Sequence, residues 1–237
     1  NGDDMAHNTT WGIIRGQSIT FPMDVNDFNA ATMGFSVPAA AAAALLPGEA
    51  FEIAETAPGV AQFIVSLCDY RGTPWGDYNE VNLGFLARPA GAGPEVIGSF
   101  IYRMPVDQAF TCEAGNQVMG FPKVVTRIDV DYRDDAVTFR LFDGDELALE
   151  VFIPRVVSTT DAIRVESVSY SYLAGVAHAT PLAIDMSTAT VEPGDVQVTL
   201  GTGPIADELR SLGLPTNVDF CNWGEHLTAT FELGTPL

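Results

Sequence analysis

The stretch that decides the fold is residues 124–153, VVTRIDVDYRDDAVTFRLFDGDELALEVFI. Three runs in it, 124–132, 136–142 and 146–153, alternate apolar and polar residues, which is the two-residue period of a β-strand with one buried face. Short polar segments at 133–135 and 143–145 separate the runs, and tight turns of this kind join antiparallel strands. The stretch therefore predicts a three-stranded antiparallel meander.

Strand patterns also dominate the sequence on both sides of the meander. Further strands are predicted at residues 60–68, 80–87, 96–104, 165–173, 180–190, 196–200 and 226–233. Short helices are predicted at 39–46, with Ser36 as a possible cap, and at 105–113 and 204–212. This count predicts an α+β, mainly β fold, a strongly curved antiparallel sheet or barrel with a few peripheral helices, which is an architecture that encloses small ligands. Because no repeat or linker divides the chain, we expect one domain over residues 1–237.

Composition excludes several classes of partner. Eleven basic residues against 31 acidic ones give a net charge of −20, so nucleic acid and anionic membranes are not expected as partners, because both require clustered lysine and arginine. No apolar stretch is long enough for a membrane span, and the start of the sequence does not resemble a secretory signal. Cys68, Cys112 and Cys221 lack a Cys-x-x-Cys spacing and predict free thiols in a cytoplasmic protein. The three histidines are isolated in the sequence, so neither a metal site nor a cofactor is expected.

Lys123 is the single lysine among these 237 residues. A desolvated lysine can lose its proton, and its neutral amine can attack a carbonyl group to form a Schiff base, which arginine cannot do. The acidic composition offers an alternative explanation, since a protein that disfavours surface lysine would retain one by chance. Rarity by itself therefore makes Lys123 a candidate and nothing more.

The neighbours of Lys123 strengthen this candidacy. Phe121 and Pro122 restrict the backbone just before it, and Met119, Phe121 and Val124 provide apolar surroundings that would destabilise a charged ammonium. The alternative is a lysine at the start of a strand whose aliphatic stem carries the ammonium to solvent. Adjacency in sequence leaves both interpretations open.

Several motifs together resemble the acetoacetate decarboxylase superfamily. The segment from Gly115 to Lys123, with its aromatic-Pro-Lys ending followed by a β-meander, is similar to the family's Schiff-base segment. Tyr78-Asn-Glu80, about forty residues earlier, is similar to the segment that carries a pocket glutamate. Gly201-Thr-Gly-Pro204 and the helix after it resemble the family's closing element, and the helix at 39–46 resembles its early helix.

The resemblance implies a cone-shaped antiparallel β-barrel with the lysine inside. It implies that Lys123 is the Schiff-base nucleophile and that Glu80 is an acid/base group in the pocket. It also implies a small keto acid or ketone as substrate and a homo-oligomeric state. Substrate contacts are predicted for nearby residues, namely Tyr78, Asn116, Gln117, Met119 and Phe121.

The sequence also departs from the family pattern. Val124 stands where the decarboxylases have a second lysine, so burial alone has to favour the neutral amine of Lys123. Asn116 and Gln117 replace a charged pair, and the family's early arginine and its other glutamate, near Ile64, are not evident. Three functions stay open: a lyase that decarboxylates a β-keto acid, an aldolase-dehydratase acting on pyruvate-type substrates, and a barrel that cyclises or binds a ligand without a covalent step.

Overall fold

The structure of the protein, a computed structural model, describes residues 8–237. Strands dominate it, which confirms the mainly β prediction. The strands are β1 (Thr9–Ile14), β2 (Gln17–Phe21), β3 (Met23–Pro38), β4 (Phe51–Ile53), β5 (Val60–Tyr70), β6 (Tyr78–Pro89), β7 (Gly98–Val106), β8 (Lys123–Val125), β9 (Ile128–Tyr132), β10 (Ala136–Asp143), β11 (Glu146–Pro154), β12 (Ile163–Leu173), β13 (Val176–Met186), β14 (Thr188–Val191), β15 (Gln197–Leu200), β16 (Phe220–Phe231) and β17 (Thr235–Pro236).

The helices are few and short. They are α1 (Ala39–Ala43), α2 (Ala109–Ala114), which continues directly into a π-helical turn (Gly115–Met119), a 3₁₀ turn (Pro193–Asp195) and α3 (Pro204–Ser211). Within residues 8–237, no helix combines the length and the apolar character needed to cross a lipid bilayer.

Seven strands close into a barrel. Their order around it is β16, β3, β5, β6, β7, β12 and β13, and β13 pairs with β16 to complete the circle. The pairings are antiparallel except that of β7 with β12, in which Ser99 lies opposite Ser169 in parallel register. Closure leaves these strands without free edges and creates an interior. The predicted barrel with a few peripheral helices is confirmed.

The predicted meander forms a second, four-stranded sheet in the order β15-β11-β10-β9. Its turns lie at 133–135, as expected, and at 144–145, because Asp143 pairs with Glu146 and ends β10. The prediction of one strand over 124–132 is wrong, because β8 pairs with β7 of the barrel and β9 pairs with β10. Thr126 marks the crossing. Its amide donates to the carbonyl of Val106 in the barrel, and its hydroxyl donates to the carbonyl of Phe142 in the second sheet.

Other boundaries differ as well. The long strand β3 was not predicted, and the predicted strand 180–190 divides into β13 and β14. The helix predicted at 105–113 begins only at Ala109, because Gln108 supplies the cap by accepting a hydrogen bond from the Thr111 amide. Ser36 does not cap α1; its hydroxyl donates to Asp219, and Pro38 occupies the cap position.

Strand alternation separates a core from an interior cavity. In β3, Met33 and Phe35 point to a hydrophobic core shared with Phe139 and Leu149 of the second sheet and with α3, whereas Thr32 points into the barrel. β5 and β6 alternate in the same way. The larger core thus lies between the two sheets and packs against the barrel wall from outside. Packing of both sheets around one core supports the single-domain interpretation, which stays a prediction.

Candidate active site

Lys123 begins β8 and projects into the barrel. β8 runs parallel to β7, with Lys123 opposite Met104. The Lys123 side chain is 4% exposed, while Val124 and Val125, which follow it, are each 56% exposed. The aliphatic stem therefore does not carry the ammonium to solvent, and the alternative of a surface lysine is excluded.

Two polar side chains contact the Lys123 amine. Nζ lies 3.1 Å from Oε1 of Glu80, whose side chain is 6% exposed, and it donates a 2.8 Å hydrogen bond to Oγ1 of Thr111, which is fully buried. Glu80 comes from β6 and Thr111 from α2, so three separate elements meet at the amine. Each partner of such a buried ion pair stabilises the charge of the other. Removing either partner leaves an uncompensated buried charge, which lowers the free energy of unfolding by about 3–5 kcal/mol.

Aromatic rings complete the surroundings of the amine. Nζ lies 5.6 Å from the ring centroid of Trp75 and 5.1 Å from that of Tyr78. These distances allow an attraction between a cation and the ring faces. The two rings therefore cover one side of the amine.

The backbone of Lys123 is held from both sides by Asn116. Its Oδ1 accepts a 2.9 Å hydrogen bond from the Lys123 amide, and its Nδ2 donates to the Lys123 carbonyl at 3.2 Å. The thiol of Cys112 donates to the same carbonyl. Asn116 lies in the π-helical turn, where the wider helix brings its side chain back towards β8. These contacts fix the point from which the lysine stem departs.

Two glycines make this arrangement possible. A Cβ at Gly115 would lie 2.6 Å from Cδ and 2.7 Å from Cε of Lys123, so the stem packs directly on the Gly115 backbone. Gly120 ends the π-helical turn with φ of 69°, a left-handed conformation that glycine adopts at little cost. The lysine stem thus lies in a groove that a larger residue at position 115 would fill.

We expect Gly115→Ala to lower catalytic turnover by roughly 10²-fold, because displacing a reacting group by about 1 Å has an effect of that size. The control is Gly194→Ala, since a methyl group added there meets nothing within 4 Å and the residue has no positive φ. Steady-state kinetics with both variants, together with thermal unfolding, checks this expectation. Equal activity of the two variants would show that the stem position is not critical.

The barrel interior holds a cavity of about 230 Å³. This volume is below the range of about 300–1,000 Å³ that is typical of sites for drug-sized ligands, and it suits a small metabolite. Among the described residues that line it, Lys123 is the only basic side chain and Glu80 the only acidic one. Apolar residues surround these two, and a group of hydroxyl and amide side chains lies farther along the barrel.

Three further titratable groups in the cavity remain neutral. Burial, and then the charge of Glu80, raises the pKa of the Cys68 thiol above its usual range. Burial likewise raises the pKa values of Tyr70 and Tyr78 well above the usual range of a phenol. The ion pair of Lys123 and Glu80 is therefore the only charge that the lining side chains contribute within the described residues.

The structure brings most of the predicted site residues together. Five of the seven line the cavity, and they are Lys123, Glu80, Tyr78, Met119 and Phe121. The other two, Asn116 and Gln117, have exposed side chains and do not line it. Asn116 holds the Lys123 backbone, and Gln117 donates to Glu113 on the protein surface. A direct substrate contact by these two amides is therefore not supported, and Asn116 is a positioning residue instead.

Sequence reasoning missed Thr111, Trp75 and Cys68. Trp75 lies in the connection between β5 and β6, and Cys68 lies opposite Glu80 across that strand pair. Both strands were predicted, but the register that places Cys68 beside Glu80 was not. No local signal marks Thr111 or Trp75, since their contacts with the amine arise only when distant elements pack together.

Comparison with known proteins relates the chain to one family and to solved structures of the same fold. A family model described as acetoacetate decarboxylase (ADC) matches residues 13–228. A search of curated proteins found no match. Solved structures with a similar fold include an acetoacetate decarboxylase from Legionella pneumophila subsp. pneumophila str. Philadelphia 1, which is 16% identical with a TM-score of 0.63 over 91% of this chain and 87% of that chain.

Two other structures extend this comparison. An acetoacetate decarboxylase-like enzyme from Sphingomonas wittichii RW1 is 14% identical, with a TM-score of 0.62 over 97% of this chain and 99% of that chain. The enduracididine biosynthesis enzyme MppR, complexed with pyruvate, is 13% identical, with a TM-score of 0.61 over 91% of this chain and 90% of that chain. At these identities the likeness shows a shared fold alone.

Proposed function

Because the chain belongs to the acetoacetate decarboxylase family, we propose that it is a carbon-carbon lyase in which Lys123 forms a Schiff base with a keto acid or ketone. One observation carries the proposal. The single lysine of the chain is buried in a small, largely apolar cavity, with a carboxylate 3.1 Å from its amine. This arrangement provides both a nucleophile and a group that moves protons.

The first steps follow from the contacts of the amine. Glu80 takes the ammonium proton, and the neutral amine of Lys123 attacks the carbonyl carbon of the substrate. The carbonyl oxygen, after taking up two protons, leaves as water, and a protonated imine forms. Thr111 accepts a hydrogen bond from Nζ and orients the amine during the attack.

The later steps use the imine as an electron sink. In a β-keto acid, the bond between the α-carbon and the carboxylate carbon breaks, and its electron pair moves into the imine. Carbon dioxide leaves and a neutral enamine remains. A proton then adds to the α-carbon of the enamine, which restores the protonated imine. Water hydrolyses this imine to release the ketone and the lysine. Glu80 is the nearest group able to deliver and remove these protons.

The charge of the cavity favours decarboxylation over reactions that retain a carboxylate. Loss of carbon dioxide converts a cationic imine and an anionic carboxylate into two neutral species, which a site of low dielectric constant favours. A pyruvate-type substrate in an aldol-dehydration would keep its carboxylate. Apart from Lys123, no described lining residue offers that carboxylate a cation.

The test is a comparison of products. We expect carbon dioxide and acetone from acetoacetate, and no enone absorbance from pyruvate plus an aldehyde. Enone formation without carbon dioxide release would favour the aldolase-dehydratase alternative. Turnover that persists when the Lys123 amine is removed would instead favour a cyclase without a covalent step. Ligand binding without any turnover would favour a binding barrel.

We also propose that the protein is a cytoplasmic homo-oligomer. The exposed apolar side chains of Ile13, Val124 and Val125 support an interface between copies, and the three free cysteines support a reducing compartment. Light scattering at several protein concentrations tests the assembly. A monomer at every concentration would contradict it.

A further inference from the structure

A row of neutral polar side chains lies next to the catalytic pair inside the barrel. Across the strands, Thr32 lies opposite Ser66, and Ser66 lies opposite Asn82. The neighbouring row, two residues along each strand, contains Cys68 and Glu80. Both rows line the same cavity. The polar row is therefore about 7 Å from the row of Glu80, because a strand rises about 3.3 Å per residue.

The next two strands around the barrel, β7 and β12, carry further groups of this kind. Ser99 and Ser169 lie opposite each other in the parallel pair of β7 and β12. Ser167 lies two residues before Ser169 and lines the cavity on the same face. The neutral polar side chains thus come from five strands and line one cavity. Ser99 and Ser169 lie farther from Glu80 than Asn82 does, because Ser99 pairs with Leu86 on β6. We call them the hydroxyl ring, and its members are Thr32, Ser66, Asn82, Ser99, Ser167 and Ser169.

The hydroxyl ring has hydrogen-bonding capacity that the protein leaves unused. Oδ1 of Asn82 is buried and has no hydrogen-bond partner among the described residues. Leaving a buried acceptor unpaired is unfavourable, so a ligand that donates to it would gain affinity. The ring contains no cation, and the Lys123 ammonium that lines the same cavity is already paired with Glu80. A neutral donor fits this site, whereas a second carboxylate would lose its hydration without gaining an unpaired cation.

Building on the proposed function, we propose that the hydroxyl ring is a specificity subsite for a neutral hydroxyl or carboxamide group at the far end of the keto substrate. The substrate class is then a keto compound with an uncharged polar tail, longer than acetoacetate. A tail that reaches from the row of Glu80 to the polar row is about 7 Å long, which corresponds to roughly five bonds of about 1.5 Å each. Any carboxylate on the substrate is the one that leaves as carbon dioxide.

The test measures imine formation with three methyl ketones of equal chain length. One ends in a hydroxyl group five bonds from the carbonyl carbon, one in a methyl group, and one in a carboxylate. The concentration of each ketone that gives half-maximal borohydride trapping on the protein is measured by intact mass. We expect the hydroxyl-terminated ketone to half-saturate at a concentration about 3- to 10-fold lower than the methyl-terminated one, as one hydrogen bond provides. The carboxylate-terminated ketone should require the highest concentration.

Variants assign this preference to the ring. Asn82→Leu should abolish or reverse the preference for hydroxyl over methyl. Ser66→Ala and Ser169→Ala should each reduce it, and they keep the test valid if Asn82→Leu does not fold. The matched control is Ser211→Ala, at an exposed serine of α3 whose hydroxyl donates to the backbone carbonyl of Glu208, and it should leave the preference unchanged.

The outcomes separate this inference from the proposed function. Equal trapping of the three ketones, or a hydroxyl preference that persists in all the ring variants, would overturn the subsite while leaving the Lys123 imine intact. Absence of trapping with every ketone would contradict both the Schiff-base function and the subsite that depends on it.

Discussion

Lys123→Met is expected to lower catalytic turnover at least about 10³-fold, because removing a nucleophile typically has an effect of that size or larger. Methionine matches the length of the lysine stem and its apolar character, so it fits the groove over Gly115. It lacks the amine that forms the imine. The measurement is carbon dioxide release from acetoacetate, or turnover of a better keto substrate once one is found.

The stability of this variant requires its own control. Lys123→Met leaves the Glu80 carboxylate buried without its partner, at a cost of about 3–5 kcal/mol. The double variant Lys123→Met/Glu80→Gln removes both charges and should recover most of that loss in chemical denaturation. Activity should stay absent in the double variant even though stability returns. Substantial turnover by either variant would rule out imine chemistry at this position.

Glu80→Gln is expected to lower turnover by about 10²- to 10⁴-fold, the usual contribution of a general acid or base. Glutamine keeps the shape of the side chain and removes its charge and its capacity to transfer protons. Imine formation should survive, because the amine is still present and its charged form loses a stabilising partner. Single-turnover kinetics combined with trapping distinguishes the two steps.

The matched control for this variant is Glu208→Gln, which removes a carboxylate that pairs with Arg103 at 2.7 Å and does not line the cavity. It should leave turnover near the unsubstituted value. If Glu80→Gln and Glu208→Gln had the same turnover, Glu80 would be a structural partner of Lys123 and not a proton-transfer group.

The barrel and the candidate residues Lys123 and Glu80 could be identified from the sequence for definite reasons. Strand alternation and polar turns are local signals, and they identified most strands and the mainly β fold. Lys123 stood out by its rarity and by the Phe121-Pro122 segment before it, and Glu80 by its motif. Each of these features depends on residues that are close together in the chain.

Other features depend on packing between distant elements and could not be predicted. The long strand β3 escaped prediction because it contacts the core on one side and the cavity on the other, and small residues such as Ala30, Ala31 and Gly34 blur its alternation. The hydrogen bonds between Asn116 and the Lys123 backbone could not be predicted, because they depend on a π-helical turn that directs the Asn116 side chain back to β8. Thr111 reaches the amine through the position of α2, which nothing in its local sequence reveals.

The central claim is that the Lys123 amine forms an imine with a keto substrate, and borohydride reduction tests it most directly. The protein is incubated with acetoacetate or a longer methyl ketone, reduced with borohydride, and examined by intact mass and peptide mapping. We expect one stable adduct on the peptide that contains Lys123, and none there in Lys123→Met. Because the chain contains a single lysine, only the N-terminal amine can compete, and mapping separates the two. Absence of an adduct at Lys123 with every carbonyl compound tested, in protein that is folded, would contradict the account.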